Sequence, residues 1–168
     1  MKPNVLIVGA GAVAHVAAHK AAQNNDVLGD ICIASRTKEK AEKIIESIRR
    51  KDNIKDTTAR IYARQVDALD IPAMVNLIEE TASAIVVNLG TSFINMSVLY
   101  ACIQAKTVNG LPVSYMDTAI HEDPTKVAED PPWYANYEWK KKPEVEKVGI
   151  LRAAACPMKR PPQRPFWS

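Results

Sequence analysis

Gly9-Ala10-Gly11-Ala12-Val13-Ala14 stands between the apolar run Val5–Val8 and an alanine-rich stretch, AVAHVAAHKAAQ. Glycine at position 9 permits a tight turn, and Gly11 carries no side chain that would hold a pyrophosphate away from the backbone. Ala14 is small enough for a helix to pack closely on a strand. The N–H groups that open this helix, from Ala12 and Val13 onward, would meet the phosphates at its positive end. The same spacing also fits a glycine turn that serves packing alone. Its position after a buried strand and before a helix favours the phosphate reading.

The stretch IASRT, Ile33 to Thr37, indicates which dinucleotide. A unit that takes NAD carries an acid at the end of its second strand, where it accepts from the ribose 2′-hydroxyl. Ser35, Arg36 and Thr37 stand there instead. An acid would repel a 2′-phosphate dianion, whereas Arg36 can bind it with charge-assisted paired bonds and lie over adenine. Ser35 and Thr37 can donate hydroxyl hydrogen bonds, and Lys38 can add charge. The expected cofactor is NADP(H). The plainer alternative makes Arg36 a solvated residue and Thr37 only a helix cap.

Two more segments fall at strand ends, where open α/β sheets bind ligands. Asp67 and Ala68 could flank adenine, with Asp67 accepting from its exocyclic amine; a helix-capping role for Asp67 is equally open. Asn88, Leu89 and Gly90 lie where the cofactor would run toward its nicotinamide, and Gly90 allows close approach of the backbone. Beyond the fifth strand, Asp117 and His121 are candidates to face a substrate. His15 and His19 share a helix face, but Val16 stands where a zincin helix needs Glu, so packing is the expected role and no metal site is assigned. No catalytic residue is assigned either.

These residues need a particular scaffold. Val5–Val8, Ile31–Ala34, Arg60–Val66, Ala84–Val87 and Val113–Met116 read as strands, the first two apolar throughout as in a sheet covered on both faces. Between them fall helical patterns: one after Gly11; one after Thr37 with Ala41, Ile44, Ile45 and Ile48 facing in; and one from Asp70-Ile71-Pro72 with Ile71, Met74, Val75 and Ile78. The last begins near Asn95 or Ser97, with Val98, Leu99 and Cys102 inward. Alternation without hairpin signals predicts an α/β fold, a doubly wound parallel sheet of the Rossmann type.

The chain has 168 residues, 47% hydrophobic and 24% charged, which suits a globular protein. Its formal charge of +3 owes much to Arg152, Lys159, Arg160 and Arg164, so neither nucleic acid nor a membrane surface is an expected partner. Three widely spaced cysteines argue against a disulfide framework and for the reducing cytoplasm. Residues 1–150 read as one dinucleotide-binding domain. Residues 151–168, rich in Pro and Arg, read as a divergent tail with too little periodic apolar surface to order itself. The aromatics Trp133, Tyr134, Tyr137 and Trp139 read as a packed flap.

VLIVGAGAVAHVAAHKAAQ, IASRT, VNLGTSFIN and, above all, YMDTAIHEDP and DPPWYANYEWK resemble the N-terminal part of the carboxynorspermidine dehydrogenase family, within the saccharopine dehydrogenase-like group. The resemblance covers residues 3 to 150. It implies an NADPH-dependent oxidoreductase that reductively condenses aspartate β-semialdehyde with a diamine, in polyamine synthesis. It implies too a second domain that binds substrate and forms a homodimer, for which this chain has no counterpart. On this reading the chain is truncated and inactive alone. A saccharopine dehydrogenase-like enzyme of lysine metabolism and a non-catalytic NADP-binding module are the alternatives.

Overall fold

The computed structural model describes residues 2–52, 54–106, 110 and 112–118. Five strands, β1 (Asn4–Val8), β2 (Ile31–Ser35), β3 (Ile61–Gln65), β4 (Ser83–Asn88) and β5 (Ser114–Asp117), form one sheet in the order β3-β2-β1-β4-β5. Every pairing is parallel. Helices α1 (Ala12–Gln23), α2 (Lys38–Lys51), α3 (Ile71–Glu80) and α4 (Asn95–Gln104) fill the crossovers, and a 3-10 turn at Ser92–Ile94 leads into α4.

The apolar strands are explained by two cores, one on each face. Val5, Ile7, Ile31 and Ile33 pack with Ala14 and Ala18 of α1 and with Ile44 and Ile48 of α2. Their neighbours Leu6, Val8, Cys32 and Ala34 point the other way, toward Met74 and Ile78 of α3 and Val98 and Leu99 of α4. Alternation along the strand thus buries Val5–Val8 on both faces and leaves no position for a polar side chain among them. Edge strand β3 differs: Arg64 and Gln65 are exposed, and the guanidiniums of Arg60 and Arg64 lie 5.4 and 5.0 Å from the Tyr62 ring centre. Charge on an edge discourages pairing with another chain.

The predicted α/β class and element order hold. One helix face differs from the reading above: α3 buries Met74, Leu77 and Ile78, while Ile71 and Val75 are half-buried. Residues 119–168, with His121, the aromatic cluster and the predicted tail, lie outside the described residues.

Candidate dinucleotide site

β1 lies between β2 and β4, and its two neighbours are reached by connections that leave in opposite directions. In an open parallel sheet, ligands settle in the crevice beyond the strand ends at such a reversal. The turn after β1 is pinned there. Gly9 N–H donates to Ala34 O and Leu89 N–H to Val8 O, each at 2.8 Å. Gly9 has φ +114°, and a Cβ would stand 3.0 Å from the Leu89 carbonyl. Both its backbone conformation and its neighbours require glycine. Gly11 differs: its backbone is extended, and a Cβ would meet nothing within 4 Å. Gly11 therefore serves the open space beside it and not the packing of the turn.

That space is a cleft of about 620 Å³, lined by Gly9, Ala10 and Gly11, by the ends of β2, β3 and β4, and by Thr91, Phe93 and Ile94. Its size is ordinary for a small-molecule site. Ala12 and Val13 form the exposed first turn of α1, which has no side-chain cap because Gly11 holds the cap position.

At the end of β2, Ser35, Arg36 and Thr37 line the cleft together. Ser35 is already engaged: its hydroxyl donates to the Thr37 carbonyl at 2.8 Å and accepts from Thr37 N–H at 3.1 Å. Thr37 holds the cap position of α2, yet its hydroxyl makes no capping bond. The Arg36 carbonyl accepts from Gln65 Nε2 at 2.9 Å, which fixes the backbone and leaves the guanidinium without an ion pair among the described residues. Lys38 turns to Glu42, 3.2 Å away, and does not line the cleft. Lys40 does. Adjacency in sequence suggested Lys38; the helical turn brings Lys40 to the Arg36 side.

At the end of β3, Asp67 and the buried Ala68 line the opposite wall with Val66 and Leu69. Asp67 is not the cap of α3. Its carboxylate accepts from Leu69 N–H at 3.0 Å, while Asp70 caps the helix by accepting from Ala73 N–H at 3.0 Å. At the end of β4, Leu89 and Gly90 line the cleft but Asn88 is buried beneath them. Asn88 Nδ2 donates to Asn95 Oδ1 at 2.7 Å and to the Tyr115 hydroxyl at 3.3 Å. Its Oδ1 accepts from Gly90 N–H at 3.1 Å. Asn88 thus shapes the turn from inside. Burial pushes the Tyr115 phenol well above its ordinary pKa, with the nearby Asp117 acting in the same direction. Asp117 sits opposite Asn88 in the β4–β5 register and is itself buried, away from the cleft lining.

His15 and His19 stack with ring centres 4.9 Å apart. Their Nε2 atoms lie 3.1 Å from each other, and Ser47 Oγ of α2 lies 3.1 Å from His19 and 3.3 Å from His15. The pair packs α1 on α2.

Comparison with known proteins fixes the family. Residues 5–151 match the model of the saccharopine dehydrogenase NADP binding domain. The chain belongs to this family. The NADP-binding domain is 47% identical over 146 residues to the carboxynorspermidine synthase of Vibrio alginolyticus, and 45% identical over 147 residues to that of Vibrio cholerae. Those alignments cover 87% and 88% of this chain and 34% of each relative, so the chain spans about a third of their length. In fold it is similar to saccharopine dehydrogenase of Saccharomyces cerevisiae, with a TM-score of 0.58 at 19% identity over 89% of this chain and 26% of that one. The cofactor of the family is NADP, and the cleft suits it, with a glycine turn among its lining and a cation in place of an acid at the end of β2.

Proposed function

We propose that this chain is the NADPH-binding domain of an enzyme that reductively condenses aspartate β-semialdehyde with a diamine, as part of polyamine synthesis. The observation that carries the cofactor half is Arg36 facing the cleft where an NAD unit has its acid. The level of identity to two carboxynorspermidine synthases supports the substrate half. Gly9 shapes the turn, Gly11 leaves room for the pyrophosphate, and the uncapped start of α1 offers N–H groups to it. Asp67, Ala68 and Leu69 form a wall for the adenine. Leu89 and Gly90, held by Asn88, border the route toward the nicotinamide. When bound, NADPH supplies the hydride for reduction of a carbon–nitrogen double bond. The substrate side, the homodimer and a cytoplasmic place belong to the same proposal, with no part for nucleic acid or membrane.

Titrating the purified chain with NADPH and NADH tests the reading. A bond to a charged group contributes on the order of 1.5–3 kcal/mol, so NADPH should bind about ten- to a hundredfold more tightly. Equal affinities, or tighter NADH, would overturn it. Arg36→Ala should weaken NADPH and leave NADH nearly unchanged.

A further inference from the structure

The contact between α1 and α2 brings two ring nitrogens and a hydroxyl to one point. His15 and His19 hold their Nε2 atoms 3.1 Å apart while their ring centres are 4.9 Å apart, so the rings approach through those atoms. Ser47 Oγ, from the facing helix, lies 3.1 Å from His19 Nε2 and 3.3 Å from His15 Nε2. The donors thus form a nearly equilateral triangle. Ligands set tetrahedrally at roughly 2.0–2.1 Å from a zinc ion stand about 3.3–3.4 Å from one another. The triangle has the size of one face of that tetrahedron. No hydrogen bond fixes the tautomer of His19, whose Nδ1 has no partner, so its Nε2 can present a lone pair. His15 and Ser47 are half-buried, which gives an ion a way in and leaves the fourth position to water. Val16, where a zincin helix has Glu, bears on catalysis and not on binding: that Glu is the general base, and the two histidines are the ligands.

We propose that His15, His19 and Ser47 form a site for a divalent transition-metal ion, with zinc the ion that fits, and that the ion ties α1 to α2. Imidazole nitrogen suits zinc, whereas Mg²⁺ and Ca²⁺ take oxygen ligands and find one hydroxyl here. Among the described residues no group of three or more His, Cys, Asp or Glu converges, so the binding strength comes from two imidazoles. The charge of Lys51 reaches His19 and opposes a second cation. The ion is therefore exchangeable, held less firmly than in a site of four charged or imidazole ligands. None of the three residues lines the cleft, and the site stands whether or not the cleft takes a dinucleotide.

The test uses the full 168-residue chain, stripped with a chelator and titrated with zinc chloride by calorimetry and in thermal melts. Excess zinc should raise the melting temperature by several degrees, since an ion that binds only the folded chain stabilises it. EDTA should reverse the rise, and magnesium chloride should not reproduce it. His15→Gln and His19→Gln should each weaken zinc binding more than about tenfold, because even the outer-shell partners of a metal are worth about 10–100-fold. Ser47→Ala should weaken it by less. His19 is buried, and its variant can lose stability for want of packing alone, so nitrogen NMR of the wild type supplies a second readout. The ring Nε2 signals of His15 and His19 should both shift as zinc is added. Zinc binding left unchanged by His15→Gln, a titration that leaves both ring signals unmoved, or a wild type that binds no zinc would each overturn the site.

Discussion

The two glycines of the turn make opposite demands at the scale of single residues. Gly9 is needed by the protein: Gly9→Ala would place a Cβ 3.0 Å from the Leu89 carbonyl at a positive φ. Strain of this kind costs on the order of 1–3 kcal/mol. The expected result is a melting temperature several degrees lower, read by circular dichroism. Gly11, on the proposed reading, is needed by the ligand. Its backbone is extended and its Cβ direction is empty, so Gly11→Val should melt close to wild type. The added branch would fill the approach to the phosphate turn, and NADPH affinity should fall at least tenfold by calorimetry. A Gly11→Val variant that binds NADPH normally would show that the phosphates lie elsewhere.

Among the elements, the α1–α2 contact should respond to acid. His19 is buried beside His15 and Ser47, and its Nδ1 has no hydrogen-bond partner. Burial first, then the charges of Lys51 and His15, hold its pKa below the ordinary 6.5. A histidine that resists protonation in the fold contributes stability above pH 6.5 that is lost as pH falls below it toward the folded pKa. Thermal melts through that window should show falling stability, and a flatter profile in His19→Leu. On the sheet, burial raises Cys32 to about 12 against the small opposing pull of Arg64, and raises Cys102 further still. Neither thiol should react with iodoacetamide at neutral pH until the protein unfolds, as peptide mapping can check. The elements were largely legible in sequence because Val5–Val8 and Ile31–Ala34 are apolar throughout and α2 keeps its four buried positions on one stripe. The α3 stripe was misplaced at Leu77 because Val75 and Leu77 both border the helix face, and only the packing decides between them. That the glycines and Arg36 border one cleft could be read from their spacing. The internal turn of Ser35, the Lys38–Glu42 pair and the inward amide of Asn88 could not, since each depends on which way a side chain turns.

For the molecule as a whole, the chain spans about a third of the length of its carboxynorspermidine synthase relatives. On the proposed reading the cleft presents a cofactor, but reduction also needs the second reactant held in near-attack geometry, and such positioning can supply roughly 7–11 kcal/mol of a barrier. A protein made from these 168 residues alone should therefore bind NADPH without consuming it when aspartate β-semialdehyde and diaminopropane are added. The loss of NADPH absorbance is the measurement. Substrate-dependent oxidation well above a no-protein control would mean that residues 113 to 150 hold far more of the active site than the cleft does.

The central place of β1 also has a consequence for biosynthesis. Val5 pairs with Ile31 on one side but with Ile85, about eighty residues later, on the other. At the usual elongation rate of roughly 5–20 residues per second, β4 leaves the ribosome several seconds after β1. During that interval α1 and α2 can cover one face of β1 and β2 can pair with one edge, while the other edge stays unpaired. An apolar edge open to water invites a neighbouring nascent chain. Slower initiation, or fewer ribosomes on each message, should raise the soluble yield of this protein more than a stabilising substitution in α4 would.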